Sequence, residues 1–359
     1  MPRVLIVGSA NVDFTVAVPR LPRVGETVTE GTLLIAHGGK GANQAVAARR
    51  LGAEVRFVGC VGEDASGHEV RAALTGEGIG VDGLVTTTEA ATGTALIVVD
   101  AQGRNQIAVA PGANRALTVA DVDRRAPDFA WAEVVVCSLE VPLAAVRRAL
   151  ECARRDGALT IVNPAPMPDH PLDFLSLVDY LTPNESEAAR LTGRTLVDVD
   201  EAGAAAAAVR ALGVAHAVIT LGEHGVLADG PHGRQHVPAF EVAVVDTTGA
   251  GDAFNGALAS RRAGMYAPRR PAGDADARGG RASAGAVTAR YGASRARSAS
   301  TRARAASTVA GARRPCSSAR RTAARATWAA ERPSGNRSSA ISSRSTPASR
   351  ARTAASWRP

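Results

Sequence analysis

Lysine is almost missing from this 359-residue chain: Lys40 is the only one, and the other 41 basic side chains are arginine. Lys40 is therefore not one of many interchangeable surface cations, and it stands among three glycines in GGKGANQ (38–44). The N-terminus, MPRVLIVGSANVDF, lacks the basic region, apolar run and cleavage site of a secretory signal, and no apolar run is long enough to cross a bilayer. A cytoplasmic protein with no membrane partner is the expectation. Cysteine is sparse and scattered. Cys60, Cys137, Cys152 and Cys316 have no CxxC spacing and the first three lie in apolar or helical contexts, so reduced structural thiols are expected, not a disulfide framework or a zinc site. GxxxxGK[ST] is absent, and GAGDAFNG (249–256) lacks the GxGxxG spacing, which weighs against P-loop and Rossmann nucleotide sites.

Acidic residues almost vanish towards the end. Residues 261–359 hold 22 arginines against Asp274, Asp276 and Glu331, a formal +19, so the total of +8 leaves 1–260 at −11. The two parts also differ in pattern. Through residue 260 short β-branched runs, VLIV (4–7), VRFVGCV (55–61), VVVC (134–137), LTIV (159–162) and HAVIT (216–220), alternate with helical spacing at 66–78, 142–156 and 199–212. Such alternation, with 45% apolar residues, implies a mostly parallel sheet covered on both faces. FTVAVPRLPRVGETVTEGTLLIA (14–36) and TGTALIVVDAQGRNQIAV (92–109) are strand-rich without helices, DAQG (100–103) is a hairpin turn signal, and together they predict a small β-sheet beside the main one. The Arg/Ala/Ser/Pro-rich remainder has neither period and cannot bury enough surface to order itself.

Several loops carry chemistry-bearing residues. In DTTGAGDAFNGAL (246–258) a strand, AVV at 243–245, is expected to enter a Gly-rich turn and then a helix, so Gly249, Ala250 and Gly251 would gather free N–H groups and the helix dipole into an anion site. A tight strand-to-helix connection explains the glycines equally. Asp252 favours the anion site: a carboxylate is unwelcome there unless it works as a general base towards an attacking hydroxyl. GGKGANQ lets backbone approach a ligand and adds the amide of Asn43, or is a turn entering the helix ANQAVAARRL. NVD (11–13) follows the first strand, where ligand loops of open α/β sheets lie. TPNESEAARL (182–191) fits a helix start capped by Asn184 with Glu187 three residues on, and TLGEHG (220–225) is a strand-to-turn exit.

In this order GSANVD, VGETV, GGKGANQAVAA, VGEDASG, GANRALT, LE (139–140), NPAP, TPNE, TLGEHG and DTTGAGDAFNGAL resemble the ribokinase family of ATP-dependent sugar and nucleoside kinases, also called PfkB, over residues 3–258. The resemblance implies a three-layer α/β/α sandwich with a small β-sheet lid, D-ribose and ATP as substrates, and a kinase domain over 1–260. It matches Asn11, Asp13, Gly39, Lys40, Asn43 and Glu140 to sugar-holding positions and Asp252 to the base that activates the 5-hydroxyl. Asn184, Thr220, Gly222, Gly249, Ala250 and Gly251 match nucleotide positions; Glu187 matches an indirect Mg²⁺ position, and Asp246 and Thr248 a K⁺ loop. A homodimer through the lid is implied too. The alternatives are another sugar or nucleoside kinase of the family, or an impaired chain that binds polyanions through its basic tail.

After Leu258 the family continues with helices that close the nucleotide pocket, whereas here the sequence turns to SRRAGMYAPRRPAGDADARGG. Residues 261–294 read as an uncertain end of the kinase domain, in which AGAVTARYGAS (284–294) resembles the family's late strand and cation loop, and 295–359 as a disordered tail. The swing in composition resembles an out-of-frame reading of a GC-rich gene. Beyond residue 270 the only aromatics are Tyr291, Trp328 and Trp357, so base stacking and specific nucleic-acid recognition are not expected, only salt-sensitive binding through charge. On the out-of-frame reading the chain as it stands has weak or no kinase activity. Ribose-dependent ADP release is to be compared in the full chain, a chain cut after Ser294 and a frame-corrected chain. The cut should abolish nucleic-acid binding without restoring turnover, and frame correction should restore it; full activity in the chain as it stands would refute the out-of-frame reading.

Overall fold

A computed structural model describes residues 1–196, 198–244 and 247–263. Its elements are β1 (Arg3–Val7), β2 (Asn11–Val18), β3 (Thr32–Gly38), α1 (Lys40–Arg50), β4 (Glu54–Gly62), α2 (Ala65–Gly76), β5 (Gly80–Thr87), β6 (Gly93–Asp100), β7 (Asn105–Ala110), α3 (Val119–Asp123), α4 (Ala126–Trp131), β8 (Val134–Ser138), α5 (Leu143–Arg155), β9 (Leu159–Asn163), β10 (Tyr180–Leu181), α6 (Glu185–Thr192), α7 (Val199–Ala211), β11 (His216–Thr220), β12 (Val226–Gly230), β13 (Gly233–Val237) and α8 (Ala250–Ala263). The larger sheet runs β13-β12-β11-β10-β9-β8-β1-β4-β5. It is parallel from β5 to β11 and ends in the antiparallel hairpin β12–β13.

The β-branched runs form the middle of this sheet because their side chains are buried on both faces. Alternate residues of β1 and β8 point opposite ways: Leu5, Val7, Val135 and Cys137 join one core with α5 and α7, while Val4, Ile6, Val134 and Val136 join another with α1, α2 and α8. Three layers result, as the alternation implied. Cys60, Cys137 and Cys152 are free and buried within it, and burial pushes the Cys137 thiol up to about 12; Cys316 lies outside the described residues.

β2, β3, β6 and β7 form a separate four-stranded sheet in the order β3-β2-β6-β7. The hairpin at DAQG is present: Asp100 Oδ1 accepts from the Gln102 and Arg104 amides, each at 3.0 Å. Residues 19–31, inside the first expected strand-rich segment, contain no strand. NVD is not a loop but the start of β2, so an inner strand of the lid itself carries Asn11 and Asp13. The described part of the strand expected at AVV is not strand. Ala243 and Val244 have no regular structure, with no neighbouring strand among the described residues to pair with them, and Val242 and Val244 are exposed; Val245 lies outside the described residues. The expectations for residues 264–359 fall outside them too. No helix among the described residues is long and apolar enough to cross a membrane.

Helices α1 and α8 lie side by side and run in the same direction, Asn43 meeting Asp252 and Ala48 meeting Ser260. Glycine permits the close approach. A Cβ at Gly256 would stand 2.6 Å from the Gln44 carbonyl oxygen and 2.8 Å from the Ala48 nitrogen. Gly256→Ala should therefore destabilise the protein by about 1–3 kcal/mol in denaturant unfolding, despite alanine's better helix propensity. Gly76→Ala, where a Cβ meets nothing within 4 Å, should be neutral or stabilising. Equal effects at both positions would contradict the packing argument.

Candidate active site

Because β1, β8, β9, β10 and β11 are parallel, the residues that leave their carboxyl ends share one edge of the sheet, the usual ligand edge of open α/β folds. Along that edge stand Ser9 after β1, Glu140 after β8, Asn163 at the end of β9, Asn184 after β10, and Thr220 at the end of β11. The parallel pair α1 and α8 bring their N-termini to the same edge, with Lys40 and Asp252 in the first turns.

At one end Glu140 Oε2 accepts the Lys40 amide at 3.1 Å and the Ser9 hydroxyl, so a carboxylate caps α1 where the helix dipole welcomes it. Lys40, a cation in a first turn, gains nothing from that dipole. Gly39 holds φ +89, and a Cβ there would stand 2.8 Å from Ala10 Cα, so only glycine lets the turn press against the β1–β2 link. Asn114, wholly enclosed, accepts the Ala10 amide (2.9 Å) and donates to Asn11 Oδ1 (2.8 Å) and the Pro111 carbonyl (3.0 Å). Asn11 gives its Oδ1 to Asn114, which leaves its NH₂ as a donor for another partner. Asp13 is pushed up to about 6 by burial, then by the charges of Glu140 and Asp252, with His37 opposing.

In the middle Asp252 is buried. Its Oδ2 accepts from Asn43 Nδ2 at 3.0 Å and its Oδ1 from Gln44 Nε2 at 3.2 Å. Burial raises its pKa, and Lys40 and these two amides pull it back. Gly249 turns with φ +70; the Ala250 amide donates to the Thr247 carbonyl at 3.0 Å; Gly251 faces open space.

At the other end Asn184 and Glu187 form a capping box on α6: Asn184 Oδ1 accepts the Glu187 amide (2.8 Å) and Glu187 Oε2 the Asn184 amide (2.9 Å). Burial raises the Glu187 pKa, and the charge of Lys40 is among the influences that lower it. Asn184 bridges to Thr220, and Gly222 is exposed just beyond. Thr248 lies exposed in the turn before α8, while Asp246 falls outside the described residues. Among the described residues no group of three His, Cys, Asp or Glu side chains is arranged to hold a metal ion.

Ser9, Gln44, Asn114, Asn163, Thr182 and Asn255 join this edge or line it from beneath without having stood out in the sequence. Their signals were faint but present: Gln44 is one helical turn from Lys40, Asn255 is three residues from Asp252, and Asn163 ends an apolar strand just before a proline.

The pfkB family carbohydrate kinase model matches residues 1–299, a span that takes in AGAVTARYGAS. The chain is 42% identical over 259 residues to mouse (Mus musculus) ribokinase, covering 71% of this chain and 80% of that one. It is 41% identical over 262 residues to a bifunctional ribokinase/ribose-5-phosphate isomerase A of Fructilactobacillus sanfranciscensis, covering 73% of this chain and about half (48%) of that protein's length. The structure of Arabidopsis thaliana ribokinase complexed with ribose and ATP superposes with a TM-score of 0.69 at 32% identity, covering 74% of this chain and 87% of that one.

The raised Asp13 pKa sets a stability profile. With a value of about 6 in the fold against an ordinary 3.8, Asp13 binds its proton more tightly when folded. Its contribution to stability therefore falls as pH rises from about 4 to about 6, and stays low above. Asp13→Asn should remove that slope and, allowing for solvent screening, raise Tm at neutral pH by roughly 2–4 °C. A lower Tm with the slope intact would contradict the mutual repulsion.

Proposed function

We propose that this chain, which belongs to the pfkB family of carbohydrate kinases, is an ATP-dependent ribokinase that phosphorylates D-ribose at O5. The observation that carries the reading is the order along the sheet edge. Asn11, Asp13, Gly39, Lys40, Asn43 and Glu140 lie towards the lid, Asn184, Thr220 and Gly222 towards β11, and Asp252 between the two sets. An acceptor sugar held at the lid end and a nucleotide at the other would meet at Asp252.

In that pose the Asp252 carboxylate takes the proton of the 5-hydroxyl as its oxygen bonds to the γ-phosphorus and the bond to the ADP oxygen breaks. Charge on the transferring group is received at the first turn of α8, at Gly249–Gly251 and the positive end of the helix, although the Ala250 amide, expected to be free, meets the Thr247 carbonyl in this turn. Carboxylates and hydroxyl-binding amides suit a polyol: Asp13 and Glu140 accept from sugar hydroxyls, Asn11 and Asn43 donate. Lys40 offsets the negative charge that two anionic sets bring together.

Mg²⁺ accompanies the nucleotide and neutralises its phosphates when bound. Glu187, with one carboxylate oxygen committed to the Asn184 amide, suits an outer, water-mediated contact, which agrees with how Mg²⁺ keeps its waters. A K⁺ site at Thr248 and Asp246 remains part of the reading, as do a cytoplasmic location and a homodimer. The dimer is supported by Leu33, Leu34, Ile35, Leu96, Ile107 and Val109, apolar lid residues each more than half exposed. We assign residues 1–260 to the kinase domain with its lid, 261–294 to its end, and 295–359 to an appended tail.

The test uses the most active of the three chain lengths above. With ATP and a panel of D-ribose, 2-deoxyribose, a hexose and a nucleoside, D-ribose should give the highest kcat/KM and carry phosphate on O5. Asp252→Asn should cut turnover ~10²–10⁴-fold with ribose affinity largely kept. Retention of more than about a tenth of the parent rate would remove Asp252 as the base.

A further inference from the structure

We propose that Gln44 is a positioning residue that fixes which oxygen of Asp252 takes the proton, holding Oδ1 from the buried side and leaving Oδ2 for the acceptor hydroxyl. The proposal rests on the reading of Asp252 as general base. Gln44 lies in α1 with no solvent exposure, one turn beyond Lys40. Its Nε2 stands 3.2 Å from Asp252 Oδ1 and 3.3 Å from Asn163 Oδ1, so both its hydrogens have acceptors.

The direction of these bonds is set by backbone. Asn255 Nδ2 donates to the Gly251 carbonyl at 2.9 Å, which turns Asn255 Oδ1 towards the Thr182 hydroxyl at 2.6 Å. Asn163 Nδ2 donates to the Thr182 carbonyl at 3.2 Å, which turns Asn163 Oδ1 towards Gln44. Carbonyl oxygens only accept, so neither asparagine can flip without losing its bond. Gln44 is then left facing two acceptors and must present its NH₂ to both; a flipped amide would set three oxygens against one another.

The path closes on itself, from Gly251 through Asn255, Thr182, Asn163 and Gln44 back to Asp252. Gln44 Oε1 is buried without a hydrogen-bond partner among the described residues, so that oxygen does not dictate the orientation. The two carboxylate oxygens are thereby unequal. Oδ1 meets a donor locked in a sealed interior, while Oδ2 meets the half-buried Asn43 and is the oxygen nearer the Gly249 turn, 3.9 Å from the Cβ position there. A hydrogen bond to the ionised form also offsets part of the burial that raises the Asp252 pKa.

The experiment titrates the Asp252 carboxyl by ¹³C NMR, and follows turnover, in the most active of the three chains compared above, its signal assigned by loss in Asp252→Asn. Gln44→Met keeps bulk and removes the donor, and should raise the Asp252 pKa by about one to two units. Gln44→Glu, isosteric, should raise it further, because the introduced carboxyl shares a proton with Asp252. The acid limb of kcat/KM should move by the same amount with ribose affinity little changed. Should Gln44→Met fail to fold, Gln44→Leu, likewise without a donor, reads the same quantity. An unmoved Asp252 titration in a folded variant overturns the role of Gln44, even where Asp252→Asn is inactive as expected. Normal turnover in Asp252→Asn would instead overturn the base assignment.

Discussion

Asp13, Glu140 and Asp252 repel one another across one cleft, where the Lys40 ammonium stands against Asp252 and His37 against Asp13. The repulsion is visible in Asp13, whose proton is held to about 6 by burial and by the other two charges. The counterweight is visible in Asp252 and Glu187, both of which Lys40 pulls down against burial. Like charges stay gathered in a folded protein only where surrounding structure over-determines them. The rest of the architecture can be understood as what holds this cluster together. A compact ammonium on a flexible stem reaches several carboxylates in turn, whereas a guanidinium fork favours one planar partner, which is a physical reason for the one lysine in an arginine-only chain.

The scaffold meets that demand with small residues. Val, Ala and Leu fill both cores, and the Ala-rich face of α1 against Gly256 and Ala259 of α8 brings two helix N-termini to one edge of a parallel sheet. One N-terminus accepts the carboxylate of Glu140; the other presents Asp252 beside an exposed turn. Asn114 ties the two chain segments that enter and leave the lid near Asn11, so the lid is joined to the domain at the same place where its polar residues face the cleft.

Much of this was legible in sequence. Runs such as VLIV and VVVC became central strands because residues buried on both faces leave an unbroken apolar signature. DAQG marked the lid hairpin for the same reason any Asx turn does: its carboxylate satisfies the amides that follow. NVD misled because Asn and Asp are turn residues by propensity, and only pairing with β3 and β6 makes them strand. Ala243 and Val244 misled the other way, since a β-branched run becomes a strand only beside a partner. Gln44, Asn163 and Asn255 gave only faint signals; an amide in a helix or at a strand's end looks like a surface residue until the fold closes over it.

The most direct measurement of the central claim is the kinetics and ribose affinity of Lys40→Arg, which keeps the charge and changes only its shape. If one compact ammonium balances the carboxylate cluster, turnover falls sharply and the Asp252 titration moves up, because the planar fork cannot take the position of the ammonium. Parental turnover, affinity and titration in that variant would contradict the account.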